Sequence, residues 1–379
     1  MSIPTTPGVK VTPSANAVGV GVIGAGVISG TYLEHMHQYP DLRVLGIADV
    51  DAERARAQAE AYAVPWHGSV ADLLAIDDIE IVVNLTIPAV HAEIDHQIIA
   101  AGKNVWSEKP LALDRDSATQ LLKAAEAAGV RVACAPDTVL GAGIQTAMRQ
   151  IAAGAIGEPL TASTTFQAPG PEAWHPNPDF LYAAGAGPLL DMGPYYLTTL
   201  VHTFGPVAAV SAVSSRSHEQ RTIASGPRQG ERFSVQVPTH HAALIRFESG
   251  QSAQSTFSFQ SALMRLGVVE ISGTEGTLVL PDPNTFEGES TLWRFGEDTP
   301  TTVPQQGSAY GRGAGVVDLA RALRAGTPET ASGAVAAHVL DTLLAISEAA
   351  EQGQSVDVTS TVPQPTRLAE TWDPREATL

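Results

Sequence analysis

The residues best suited to chemistry open the folded part of the chain, in "VGVGVIGAGVISG" at 18–30. The spacing G-x-G-x-x-G occurs there twice: Gly19, Gly21 and Gly24 in full, or Gly24 and Gly26 with Ser29 in third place. Such glycines permit a tight turn and a close backbone approach to a pyrophosphate, provided the loop follows a strand and opens a helix. Gly19 and Gly21 alternate with valine inside the strand-like run, whereas "SGTYLEHMH" after the turn reads as a helix. The second triplet is therefore the expected phosphate loop, and Val27 and Ile28 complete its share of the cofactor site. A second strand ends in "GIADVD" and sets Asp49 where a carboxylate binds both ribose hydroxyls. That charge repels a 2′-phosphate, so NAD is favoured over NADP. The plainer alternative is that the glycines only pack tightly and Asp49 only caps the next helix.

These residues need a scaffold, and the pattern around them supplies one. From Val18 to Pro136, short β-branched runs ("RVLGIAD", "IEIVVNLT", "KNVWSE", "VRVACAP") alternate with Ala-rich stretches of helix-forming composition. That alternation predicts an N-terminal Rossmann domain, a doubly wound parallel sheet with right-handed crossovers. After Pro136 a helix around "TAMRQIAAGAIGEP" gives way to strand-like segments separated by "ESGQ" and "GTEG", and two more helices close the chain. The expectation is a C-terminal α/β domain with a large, mostly antiparallel open sheet. We divide the chain into a mobile tail (1–16), a nucleotide-binding domain (17–136) and a substrate-binding and oligomerisation domain (137–379).

Composition narrows the partners. The 379 residues carry a formal net charge of −18, which opposes nucleic-acid binding across most of the surface. Cys134 is the only cysteine, so no intramolecular disulfide forms. The N-terminus lacks the apolar core of a signal peptide, and no apolar run approaches the roughly 20 residues that span a bilayer. A cytoplasmic protein without membrane partners is expected. His240 and His241, adjacent in a strand-like segment, point to opposite faces and do not chelate one ion, so no metal site is expected.

Further along stand "VVNLTIPAVHAEI" and "GKNVWSEKPLAL", then "GAIGEP", "GAGPLLDMGPYYLTTLVHTFGPV" and "EISGTEGTL". With the glycine loop, this ordered set resembles the glucose–fructose oxidoreductase/inositol dehydrogenase/rhizopine catabolism (Gfo/Idh/MocA) family, from about residue 17 to 360. The resemblance implies NAD(P) on the first domain, a second domain contributing to the active site, and a homodimer or homotetramer formed through the open sheet. It also implies oxidation of a secondary alcohol of a sugar or cyclitol, or reduction of the ketone. By the same resemblance Thr86, Pro88, His91, Glu108 and Pro110 line the nicotinamide side of the cofactor, and Lys109 points at the reacting oxygen. The chemistry agrees: an ammonium there holds the hydroxyl and stabilises alkoxide character as hydride leaves.

One departure matters. The family often carries an aspartate followed four residues later by a histidine that moves the proton; here Asp191 is followed by Tyr195, and position 198 is Thr198. Three readings stay open. The Tyr195 phenol relays the proton, helped by the Lys109 ammonium; or His175, in "EAWHPNPDFLY", takes over; or hydride chemistry is lost and the protein only binds nucleotide and ligand. Trp174, His175 and Tyr182 sit in a Pro-rich loop whose aromatic faces suit the C–H surface of a sugar ring. Tyr310 and Arg312 precede a helix, where contact with substrate or cofactor and a plain loop contact with solvent stand equally open, while His338 reads as helix packing. Besides the dehydrogenase, a nucleotide-sensing regulator and a glycosidase that recycles NAD remain as readings.

Overall fold

In the computed structural model, which describes residues 11–379, Val18, Val20, Val22 and Ile23 are each at most 1% exposed. A strand with both faces buried belongs at the centre of a parallel sheet. The first unit alternates β1 (Val18–Ile23), α1 (Val27–Met36), β2 (Leu42–Ala48), α2 (Ala52–Tyr62), β3 (His67–Gly68), α3 (Val70–Leu74), β4 (Ile81–Asn84), α4 (His91–Ala100), β5 (Asn104–Ser107), α5 (Arg115–Ala128) and β6 (Val132–Cys134). All six strands run parallel, in the order β3-β2-β1-β4-β5-β6. The strand order reverses between β1 and β4, and ligands of such sheets bind outside the carboxyl ends there.

Local chemistry sets the helix ends. The Asp51 side chain accepts from the Glu53 and Arg54 N–H groups and starts α2. Asp114 does the same for α5 through Ser117 N–H, and Gly129, at φ 69°, ends that helix in the left-handed conformation. α5 buries Ala118, Leu121 and Ala125, one stripe at helical spacing.

A later helix, α8 (Ala314–Ala325), belongs to this first unit as well. Gly315 allows its close approach: a Cβ there would lie 1.9 Å from the Trp106 ring. The C-terminal residues return too, with Thr378 and Leu379 donating backbone N–H groups to Asp41, whose carboxylate also pairs with Arg321 at 2.8 Å.

The second unit holds α6 (Ala142–Ala152) from Gly143 on, β7 (Pro159–Gln167), α7 (Gly187–Phe204), β8 (Val207–Ser215), β9 (Gln220–Thr222), β10 (Arg232–Ser234), β11 (His240–Phe247), β12 (Ser252–Ser258), β13 (Arg265–Gly273), β14 (Gly276–Val279), β15 (Ser290–Arg294), β16 (Thr301–Val303), the part of α9 (Gly333–Gln352) from His338 on, and β17 (Val356–Asp357). Its nine-stranded sheet has the order β16-β15-β14-β13-β7-β12-β11-β8-β17, antiparallel except for β7 with β12; β9 and β10 form a separate hairpin. Alternation in β11 shows the two faces: His241, Ala243, Ile245 and Phe247 are buried, whereas Leu244 between them is 64% exposed. The buried face meets α7, where Tyr196 packs edge-on against Phe257 and Phe166. Each large apolar side chain so buried contributes about 1.5–3 kcal/mol.

The compact units are the described residues up to Ala142 with Gly307–Ala337 and Leu368–Leu379, and Gly143–Gln306 with His338–Arg367. The sequence division gives all of 137–379 to the second domain, because the returns to the first unit rest on contacts between residues remote in the chain. Of the expected tail, residues 1–10 lie outside the described residues. Residues 11–16 run along the first unit, with Val11 and Ser14 N–H groups donating to the His37 and Pro40 carbonyls. α9 has the length and mean hydropathy (1.3) of a membrane span, contrary to the sequence expectation of none, yet 61% of that window is buried within the protein. Its His338 accepts from Val207 N–H at 2.8 Å and its Asp341 accepts from the Thr359 and Ser360 N–H groups, as in a core helix.

Candidate active site

The two glycine triplets separate cleanly. A Cβ on Gly19 would lie 1.8 Å from the Asp78 carbonyl oxygen, and one on Gly21 3.0 Å from Ile79 and Leu73 side-chain atoms; these two glycines serve packing inside β1. Gly24 makes the turn at φ +101°, with Leu85 O only 2.6 Å from where a Cβ would stand. Gly26 has nothing within 4 Å in that direction. It precedes α1, whose N-terminus has no side-chain cap and no acidic residue in its first turn. Ser29 is buried and donates its hydroxyl to Gly26 O at 2.6 Å. An open, uncapped helix start of this kind suits the negative charge of a pyrophosphate.

Asp49 follows β2 directly. One carboxylate oxygen accepts from Ala25 N–H in the glycine loop at 2.7 Å and the other from Asp51 N–H at 2.9 Å. Asp51, not Asp49, caps α2. The Asp49 side chain is 6% exposed, and Arg54 stands 3.8 Å from the oxygen that accepts from Asp51. Uncapped helix, open glycine and acid together fit NAD.

Three exposed apolar residues stand immediately beyond this carboxyl edge: Val27 after the glycine turn (99% exposed), Val50 after Asp49 (99%) and Ile87 after Thr86 (65%). Val50 and Ile87 were missed in sequence, where each sits among turn residues; an isolated aliphatic at a strand end was the available signal.

Thr86 is anchored by Asn84, whose side-chain oxygen accepts from both Thr86 N–H (3.1 Å) and its hydroxyl (2.6 Å). Pro88 opens a short 3-10 turn leading into α4. His91, 1% exposed, has Nδ1 2.8 Å from Pro110 O and Nε2 3.0 Å from Thr86 O, so its ring ties the loop after β4 to the turn after β5. Both its nitrogens thus face protein carbonyls.

The Glu108-Lys109-Pro110 turn hangs on a buried chain of hydrogen bonds. Trp106 Nε1 donates to the Tyr32 hydroxyl (3.2 Å), which donates to Glu108 Oε1 (2.9 Å), while Glu108 Oε2 accepts from Lys109 N–H (3.0 Å). Burial, then the nearby Glu108 charge, pushes the Tyr32 phenol well up, so it stays a donor. Glu108 therefore faces inward, and the half-buried Lys109 follows on a backbone fixed from behind. The Lys109–Pro110 peptide is cis. Tyr32 gave no sequence signal beyond an apolar helix position.

In the second unit, α7 carries Asp191 and Tyr195 one turn apart, on one face. Asp191 is half-buried and Tyr195 is 6% exposed. The neighbouring Tyr196 is buried and accepts from Gly267 N–H at 2.9 Å. In the preceding loop Trp174 is 68% exposed, and the His175 ring lies between Trp174 (5.4 Å) and Phe180 (5.5 Å). His175 Nδ1 accepts from Asn177 N–H at 3.0 Å, which places the proton of the neutral ring on Nε2. Tyr182 is fully buried; its hydroxyl donates to Glu172 and meets Arg221, so it anchors the loop from beneath.

Of the other singled-out residues, Arg312 and its partner Asp137 act electrostatically on Tyr32, and Asp137 also feels the Glu108 charge. Tyr310 donates to Leu140 O at 2.7 Å, and Arg312 is 3.5 Å from the buried Asp137 carboxylate, both in the first unit. His240 is half-buried and His241 buried, on opposite faces of β11.

A parallel sheet reversing between β1 and β4, an open helix N-terminus and an acid after β2 define a dinucleotide-binding Rossmann fold. A family model described as "Oxidoreductase family, NAD-binding Rossmann fold" matches residues 18–135, and one described as "GFO/IDH/MocA C-terminal domain" matches 144–279. Together they span well over half of the chain, which belongs to the Gfo/Idh/MocA family of NAD-binding oxidoreductases. Similar proteins include 1,5-anhydro-D-fructose reductase of Ensifer adhaerens, 29% identical over 68% of this chain and 74% of that one. Inositol 2-dehydrogenase 3 of Saccharopolyspora erythraea is 31% identical over 42% of this chain and 48% of that one. Levoglucosan dehydrogenase in complex with NADH and L-sorbose shares the fold at a TM-score of 0.78 and 23% identity, over 90% of this chain and 99% of that one.

Proposed function

We propose that this protein transfers hydride between NAD and a secondary alcohol or ketone of a sugar, sugar derivative or cyclitol. The observation that carries the reading is the Trp106–Tyr32–Glu108 chain behind Lys109. It fixes an ammonium-bearing turn at the carboxyl end of β5, in the unit that also holds the open glycine turn and Asp49. Gly24, Gly26, Val27, Ile28 and Asp49 hold the dinucleotide; Thr86, Pro88, His91, Glu108 and Pro110 shape its nicotinamide side. NAD supplies the hydride acceptor, or NADH the donor.

Lys109 binds the reacting oxygen and stabilises its developing negative charge. Asp191 orients the substrate hydroxyl or the proton carrier. Tyr195 takes the proton in oxidation and returns it in reduction. His175 is the weaker alternative, because its Nδ1 lone pair already accepts from Asn177 N–H. Trp174 and His175 offer aromatic surface to the carbohydrate ring, and Tyr182 supports them. The sheet face exposing Val213 (65%) and Leu244 (64%) suits a second copy of the chain, giving a homodimer or homotetramer, and we place the protein in the cytoplasm.

Absorbance at 340 nm, followed with NAD and a panel of polyols, sugars and cyclitols, tests the reading. A rise with at least one of them, abolished in Lys109→Ala, is expected. No change with any of them, or with NADH and the matching ketones, overturns it. NADH binding without turnover would then favour a regulatory role, and cleavage of an aryl glycoside at constant 340 nm absorbance a hydrolytic one.

A further inference from the structure

The loop that bears Trp174 runs from the end of β7 to the start of α7, and its regular structure is limited to two single 3-10 turns. It nevertheless holds Trp174 68% and Phe180 55% exposed, on either side of the His175 ring. Apolar rings in solvent on an irregular loop need an external support. The β9–β10 hairpin and its flanks, residues 217–237, provide it at both ends of the loop.

At one end Arg221, 9% exposed, donates to Pro169 O at 2.9 Å, pairs with Glu172 and reaches the Tyr182 hydroxyl at 3.3 Å. Ala224 N–H donates to Glu172 O (2.9 Å) and Gln236 N–H to Tyr182 O (2.9 Å), while the Phe233 ring packs against Tyr182 at 5.2 Å, tilted by 49°. Near the tip, Arg228 grips Asp179 with two bonds, 2.7 and 3.0 Å, and touches Asn177 at 3.4 Å. Gly226, at φ +77°, lies against Pro176, where a Cβ would come within 2.6 Å. The planar guanidinium of arginine suits such two-point attachment, and lysine does not reproduce it. Ordering the loop during folding removes that entropic cost from ligand binding.

We propose that this hairpin is a clasp that pre-orders the Trp174–Phe180 segment as one wall of the carbohydrate site, with Arg221 and Arg228 as positioning residues that set substrate affinity. The wall rests on the carbohydrate reading above; the clasp itself does not. Two variants test it: Arg228→Ala, at the exposed tip, and Arg221→Met with Arg221→Lys beside it. Hydrogen exchange over residues 173–181 is measured alongside KM, kcat and the NADH dissociation constant.

The expected result is exchange at least tenfold faster and a KM for the polyol at least fivefold higher in Arg228→Ala and Arg221→Met. The kcat stays within about twofold and NADH affinity is unchanged, with Arg221→Lys between wild type and Arg221→Met. Unchanged exchange in both Arg228→Ala and Arg221→Met overturns the clasp. Faster exchange with unchanged KM overturns the positioning role. If the wild-type protein turns over no polyol, the carbohydrate reading and the wall fall together, and the exchange rates still decide the clasp.

Discussion

The Asp49 carboxylate lies between two groups that both favour its negative charge: Ala25 N–H at 2.7 Å and the Arg54 guanidinium at 3.8 Å. The first ties the acid to the glycine turn. The second sets a cation, itself 54% exposed, beside that acid. Asp49→Ser removes the repelling charge and leaves that arginine in position. The ratio of kcat/KM for NADP over NAD is expected to rise at least tenfold in this single variant, measured with one polyol. An unchanged ratio would refute the ribose assignment.

The glycines make a paired prediction. Gly19→Ala drives a methyl into the Asp78 carbonyl, so the protein should lose about 3 kcal/mol or more in urea unfolding, or fail to fold. Gly26→Ala meets no protein atom and should change stability by no more than about 0.5 kcal/mol. Its methyl occupies the pyrophosphate approach instead, so the NADH dissociation constant should rise at least tenfold. Reversed effects would return the phosphate loop to the first triplet.

Tyr195→Phe deletes only the phenolic oxygen. With Tyr195 as the proton carrier, kcat should fall by about 100-fold or more, with NADH affinity unchanged. His175→Asn should cost far less kcat. A large kcat loss in His175→Asn together with a mild one in Tyr195→Phe would reverse the assignment.

Asp318 on α8 accepts from Thr330 N–H at 2.6 Å and from its hydroxyl at 3.2 Å, yet burial pushes its carboxyl up from 3.8 to about 6. A raised folded-state value means the fold favours the protonated form. Its contribution to stability is therefore complete below about pH 4 and is lost as pH rises through 6. The stability of wild type relative to Asp318→Asn should decline between pH 4 and 7 by up to about 3 kcal/mol. Urea titrations across that range check it, and a flat difference would contradict it.

Five strands of the first unit were legible in sequence because they are short, apolar and separated by turn residues; the edge strand β3, two residues with no apolar run, was not. β9 and β10 were not, since "EQRTI" and "ERFSV" are polar short runs that become strands only by pairing with each other and by holding the loop beneath. The same limit hid Tyr32 and Arg221. Their side chains look ordinary until Glu108 lies 2.9 Å from one and Glu172 pairs with the other.

Sequence by itself determined the doubly wound sheet and the turn at Gly24, because spacing along one or two neighbouring elements is enough to specify them. Tertiary structure alone decided that Gly19 is a packing residue, that Tyr182 is buried beneath its loop, that Glu108 turns inward and that α8 belongs to the first unit. Each of these depends on an atom contributed from far along the chain, and burial, hydrogen-bond satisfaction and steric contact acquire a value only when that atom is in place.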